Sequence, residues 1–234
     1  MNKIISLIIC VFVCVVTHAT NKVYLIHGYA GLGIELEKIQ KAIEKEGFEN
    51  EIYVYPSFVK SVDSVGIELF RKIQKENYDT VSFVTHSMGG LVVRSLYEHL
   101  DSLTLFPFIY RIIMVAPPNN GTPVADFFAQ FSFIKFIVGP NVNNLTSNPV
   151  TGASRYPIPT CEVGLIVGSS GKKNGFNIFI NGDNDGIVIS EDAKLGIEKD
   201  VVFVKSGHVG LLFNKSVIEY VTSFLQNGDF SKKK

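Results

Sequence analysis

The stretch Thr80-Val81-Ser82-Phe83-Val84-Thr85-His86-Ser87-Met88-Gly89-Gly90 decides how this chain is read. Thr80 to Val84 is apolar and β-branched, as a buried strand requires, and Met88 to His99 carries a helical pattern. A serine between the two occupies a sharp strand-to-helix turn that strains its backbone and lifts its hydroxyl above the sheet. Small residues two before and two after the serine let the backbone close that turn. Gly89 meets one requirement, whereas Thr85 stands where glycine is usual. Ser87 is the candidate nucleophile, set against the plainer reading of a serine capping the next helix.

Working outward, Val23 to Ile26 is a short apolar strand running into His27-Gly28-Tyr29-Ala30-Gly31. Glu35 to Lys45 places Leu36, Ile39, Ala42 and Ile43 at helical spacing, with Gly47 as a stop. Glu51 to Tyr55 returns to strand chemistry, Pro56 ends it, and Val65 to Glu76 is helical again. Arg111 to Val115, Glu162 to Val167 and Asp200 to Val204 continue the strands, and Gly210 to Gln226 is a closing amphipathic helix. This alternation predicts right-handed βαβ units: an α/β chain with a mostly parallel central sheet and helices on both faces. Ala116 to Thr160, rich in Asn, Pro and Phe, is too long for an ordinary connection and reads as a functional insertion.

The first 19 residues are set apart. Lys3 precedes an apolar run from Ile4 to Val16, too short to span a bilayer comfortably, and Thr17-His18-Ala19 supplies small residues at a cleavage site. That layout predicts a signal peptide over 1–19, an exported (secreted or periplasmic) product, and one domain over 20–234. Cys10 and Cys14 lack the context of a lipoprotein site, so Cys161 is the one thiol left after cleavage. It opens an apolar run and reads as a buried residue. Basic and acidic residues both number 22, interspersed, which argues against a nucleic-acid partner. The terminal Lys232-Lys233-Lys234 reads as a solvated tail.

Acyl transfer builds negative charge on a carbonyl oxygen, which preorganised N–H groups must meet. The amides of Met88, at the helix start, and Tyr29, in the glycine-rich loop, are the candidate donors. His27 shapes that loop and, with Gly28, is a candidate substrate contact. For a nucleophile on such a turn, the order along the chain is Ser, then an acid, then His. Only His99 and His208 follow Ser87. His99 lies in the helix after the nucleophile and reads as a surface residue. His208, in Ser206-Gly207-His208-Val209-Gly210 just past a strand, is the candidate base, and His86 points the wrong way for one. The acid comes from Asn181-Gly182-Asp183-Asn184-Asp185-Gly186-Ile187-Val188, with Asp185 preferred over Asp183. The same segment half-matches a calcium loop, but its first position is Asn and its twelfth is Asp192, so no metal or other cofactor is expected.

Val23 to Gly31, Thr80 to Arg94 and Asp183 to Leu212 together resemble the small α/β-hydrolase lipases and esterases of the secreted Bacillus type. The segment Pro117-Pro118-Asn119-Asn120-Gly121-Thr122-Pro123 also resembles one common in bacterial lipases. The resemblance implies the α/β-hydrolase fold, with Ser87 as nucleophile, His208 as base, Asp185 as acid, and Tyr29 and Met88 as oxyanion donors. It leaves Ala116 to Gly175 largely uncovered. Within that stretch Ala125 to Val138 repeats Phe127, Phe128, Phe131, Phe133, Ile134, Phe136 and Ile137, either as a core helix or as a cap over an acyl cleft. As a cap (116–160) it would offer Phe127, Phe128 and Phe131 to the substrate and contact a lipid surface. The leading expectation is ester hydrolysis on lipid-like acyl esters. An acyltransferase and a non-catalytic ligand-binding protein of the same fold are the alternatives.

Overall fold

The computed structural model describes residues 21–100, 105–131, 133 and 139–231. Its strands are β1 (Asn21–Ile26), β2 (Glu49–Tyr53), β3 (Thr80–His86), β4 (Phe108–Val115), β5 (Glu162–Ser169) and β6 (Asp200–Lys205). They form one sheet in the order β2-β1-β3-β4-β5-β6. Every pairing is parallel, so the sheet among the described residues is parallel throughout rather than mostly so.

The pleat sends alternate side chains to opposite faces, and each face has its own core. On one face Tyr24, Ile26, Phe83 and Met114 pack under α2 (Val62–Lys75) and α3 (Gly89–Leu96). On the other, Val23, Leu25, Val84 and Ile113 pack under α1 (Glu37–Lys45) and the last helix, Lys215–Asn227. A sheet apolar on both faces needs helices on both.

Element ends differ from the sequence reading for identifiable reasons. β2 stops at Tyr53, and the Tyr55 amide donates to His27 Nε2 at 3.1 Å. α2 begins at Val62 because Ser61 caps it, its Oγ accepting from Ser64 N at 3.2 Å. The closing segment divides into a 3-10 turn, Gly210–Phe213, and a helix capped by Asn214.

In the insertion, α4 (Pro123–Ala129) starts on Thr122, whose Oγ1 accepts from Ala125 N at 3.0 Å. It is shorter than the helix expected over Ala125 to Val138. Its end tightens into three-residue turn bonds, with Phe131 N donating to Phe128 O at 3.1 Å. Ile134, Phe136 and Ile137 lie outside the described residues, as do 1–19, with the expected signal peptide, Cys10 and Cys14, and the lysines 232–234. The last helix is named α5 (Lys215–Asn227). The carboxyl ends of the parallel strands share one edge of the sheet. The loops that leave them carry Gly28, Ser87, Asp185 and His208, and in open parallel sheets that edge is where ligands bind.

Candidate active site

Ser87 lies between β3 and α3 with φ +51°, in the left-handed region that non-glycine residues rarely adopt. Its amide donates to Val115 O at 2.9 Å and its carbonyl accepts from Gly90 N at 2.9 Å, so both sides of the strained residue are tied down. Packing makes the turn specific to glycine at two positions. A Cβ on Gly89 would stand 2.4 Å from Ile26 O, and one on Gly28 would stand 2.9 Å from Ser87 Cβ. Thr85 is fully buried yet accommodated. Its hydroxyl donates to Ile113 O on β4 at 3.4 Å, and Gly90 leaves room opposite it.

The long segment between β5 and β6 carries the acid. Asp185 is 3% exposed, and its Oδ1 accepts from Ile187 N (3.0 Å) and Val188 N (2.9 Å). Its Oδ2 faces His208 Nδ1 at 2.7 Å, and the two residues are also joined by His208 N donating to Asp185 O at 2.9 Å. A carboxylate oxygen accepts, so Nδ1 is the donor and Nε2 is not engaged by this bond. Gly168 allows this approach, since a Cβ there would stand 2.6 Å from Asp185 Cβ. Asp183 faces elsewhere. It receives Ser169 Oγ, Ser170 N (2.9 Å), Ser170 Oγ (3.0 Å) and Gly171 N (3.2 Å). Burial pushes its carboxyl up, but these hydrogen bonds outweigh that and hold it below the ordinary value. Both aspartates are thus engaged by protein donors, and no cluster of three His, Cys, Asp or Glu able to hold a metal exists among the described residues.

Two other histidines brace this frame. His86 is pushed down to about 3 by burial and by the neighbouring His208, so it stays neutral. Its Nε2 donates to His208 O at 3.2 Å, and the two rings lie 4.8 Å apart. His27 is fully buried, and burial lowers its pKa. Its Nδ1 donates to Gly28 O (2.8 Å), its Nε2 accepts from Tyr55 N, and Tyr55 stacks on it at 4.1 Å. With both nitrogens engaged, His27 shapes the loop rather than facing a ligand. His99 packs on Phe70, well away from the site.

A cavity of about 320 Å³ opens over Ser87 and His208. Tyr29, Val124, Phe128, Leu145, Ile187 and Val209 supply much of its wall, which is mainly apolar. Tyr29 lies edge-on to Phe58, and Ala30, at φ +58°, is held by Ser57, whose Oγ accepts its amide at 2.9 Å. The Met88 amide has no intramolecular partner among the described residues and stands at the head of α3. No hydrogen bond joins Ser87 Oγ to His208 among the described residues; such bonds commonly tighten only when substrate binds. Of the insertion's phenylalanines, Phe128 lines this cavity. Phe127 lines the adjacent groove, and Phe131 packs against Phe127 outside both.

Buried polar residues that the sequence reading passed over hold the insertion in place. Arg94 on α3 is 1% exposed and reaches Pro157 O (3.0 Å), Asn119 O (2.9 Å) and Tyr156 O. Burial lowers it to about 10. It pins both feet of the insertion to the helix behind Ser87. Asn141 ties the short helix Asn141–Asn144 to the segment before α2, donating to Ser57 O (2.6 Å) and Lys60 O (2.8 Å) and accepting from Val62 N (2.8 Å). A lone cation within Leu91, Val92, Val93 and Leu96 was the available signal. Cys161 is partly buried, with Tyr97 Oη donating to its Sγ at 3.3 Å.

Solved structures share this fold. Over 89% of this chain and 90% of the other, the mature form of the Bacillus licheniformis lipase BlEst2 superposes with a TM-score of 0.65 at 20% identity. The Staphylococcus hyicus lipase gives 0.63 over 89% and 94% of the chains at 14% identity. The chain has the α/β-hydrolase fold. A metagenomic carboxyl esterase, MGS0156, shares this hydrolase fold with a TM-score of 0.64 over 83% and 66% of the chains at 15% identity. A family model described as a domain of unknown function (DUF7379) matches residues 62–152, from α2 of the hydrolase fold into the insertion. No curated protein matches the sequence.

Proposed function

We propose that the chain is a serine carboxylic ester hydrolase acting on lipid-like acyl esters. The observation that carries this reading is the cavity in which Ser87, on its strained turn, and His208, held by Asp185, share an apolar wall. In the proposed reaction Ser87 Oγ attacks the ester carbonyl carbon while His208 Nε2 takes its proton. Asp185, accepting from Nδ1, stabilises the imidazolium. The Met88 and Tyr29 amides receive the oxyanion. Collapse breaks the carbon–oxygen bond to the alcohol, which leaves with the proton from Nε2. Water then enters and gives a proton to Nε2 as its oxygen bonds the acyl carbon; the bond from that carbon to Ser87 Oγ breaks, the carboxylic acid leaves, and Nε2 returns the proton to Oγ.

The mainly apolar wall favours an acyl chain of medium or greater length, because burying hydrocarbon lowers its free energy. The same reading takes the chain as exported after cleavage at Ala19, which N-terminal sequencing of the secreted or periplasmic protein tests.

A fluorophosphonate probe tests the chemistry. It labels the wild-type protein and leaves a Ser87→Ala variant unlabelled; equal labelling of both would remove the hydrolase reading. In a p-nitrophenyl ester series, octanoate is turned over faster than acetate. The reverse order would remove the acyl-chain assignment.

A further inference from the structure

After β5 the chain makes a tight excursion, 170–182, before it reaches Asp185. One fully buried side chain, Asn184, holds that excursion from inside. Its Oδ1 accepts from Asn177 N and Gly186 N, both at 2.9 Å, and its Nδ2 donates to Gly182 O (2.9 Å) and Asn177 O (3.2 Å). Gly175, at φ +61°, passes so close that a Cβ there would stand 1.9 Å from Asn184 Nδ2. The loop is therefore fixed, and what it presents outward is apolar. Ile180 turns inward, but Phe176, Ile178 and Phe179 are 49%, 73% and 93% exposed. Lys172 and Lys173, also exposed, lie just before them, separated by Asn174 and Gly175.

Holding large apolar side chains rigidly in water costs free energy, and an adjoining cluster of them marks a binding surface. Phe179 protrudes with almost its whole surface free, a shape suited to a fluid phase that closes around it rather than to a preformed protein pocket. The neighbouring lysines add charge complementarity to anionic headgroups. A groove lined by Val124, Phe127, Phe128, Phe179 and Ile180 joins this loop to α4, and Phe128 also lines the Ser87 cavity. We propose that the Lys172–Ile180 loop docks the protein on an anionic lipid surface. Phe176, Ile178 and Phe179 enter the boundary between headgroups and acyl chains, and Lys172 and Lys173 pair with the headgroups. Docking holds the cavity mouth against the phase that contains acyl chains. Only this last consequence rests on the ester-hydrolase reading.

The test measures binding without turnover. Ser87→Ala protein is sedimented with vesicles of phosphatidylglycerol mixed with phosphatidylcholine, and with phosphatidylcholine vesicles alone. The expected result is preferential partition to the anionic vesicles, weakening as salt is raised. Lys172→Gln and Lys173→Gln each lose about fivefold, and Ile178→Ser/Phe179→Ser loses roughly tenfold or more, with unchanged thermal unfolding midpoints. Failure to bind anionic vesicles, or equal binding by the double variant, overturns the proposal. So does light scattering that shows a dimer broken by Ile178→Ser/Phe179→Ser, since a second copy would then be the occupant. Vesicle binding without fluorophosphonate labelling of the wild type leaves the docking intact and removes the hydrolase reading.

Discussion

The turn that carries Ser87 and the segment that carries Asp185 meet the same demand by opposite means. At Ser87 consecutive residues supply the strand, the turn and the helix start, and the backbones of the two flanking strands close on them, Ile26 O leaving no space for a Cβ on Gly89 and Val115 O accepting the Ser87 amide. At Asp185 no strand or helix supports the residue, which lies well beyond the end of β5 in a stretch ordered by a few backbone bonds and a dense set of side-chain hydrogen bonds. Asp183 fastens that stretch to Ser169 and Ser170, Asn184 binds its own loop, and only then does Asp185 reach His208. A turn held by the backbones of two flanking strands does not hang on a single side chain. Position obtained through a hydrogen-bond network depends on each member.

The largest effect is expected at the first region. Ser87→Ala lowers kcat/KM on a soluble ester by about 10⁴-fold or more, with the fold retained by circular dichroism. Asp185→Asn follows, with a loss of about 10⁴-fold, because the amide no longer selects the Nδ1–H tautomer of His208. Retained activity would remove Asp185 from its proposed role.

Asp183→Asn separates support from chemistry. It loses roughly ten- to a hundredfold in activity and about 1–3 kcal/mol in urea unfolding at neutral pH. The Asp183 carboxyl is held below its ordinary value of 3.8, so its contribution is complete above that value and disappears as the pH falls through the folded value. The stability gap between variant and wild type stays constant from neutral pH down to about 5, then narrows below about 4. A gap unchanged in acid would show that the ionised hydrogen bonds are not its source. The smallest effect on catalysis is at Thr85→Gly. Activity stays within about threefold, while stability falls by about 1–3 kcal/mol with the loss of a buried hydroxyl bond and the gain of a flexible glycine.

Alternating strands and helices and the Ser87 turn were legible because each depends on local pattern; the proposed order Ser87, Asp185, His208 was read from position along the chain. Asp185 could be preferred to Asp183 only by its place before Gly186-Ile187-Val188. The structure separates the two by direction, one toward His208 and the other toward Ser169 and Ser170. Other features were not legible. Asn119, Asn141 and Asn184 lie among many similar residues of irregular segments, and what distinguishes each is complete burial with carbonyls and amides converging on it from distant positions. Arg94 is likewise one cation on an apolar helix until Tyr156, Pro157 and Asn119 surround it.

The strand, the turn and the helix start around Ser87 are thus the part that the sequence determined by itself, as a local pattern; the contacts that hold Ser87 at φ +51°, from Ile26 on β1 and Val115 on β4, belong to the sheet. Which histidine nitrogen remains free, which phenylalanine reaches the cavity and which loop faces outward were decided by tertiary structure. Those outcomes depend on hydrogen bonds and exclusions between segments far apart in the chain, which no local pattern encodes.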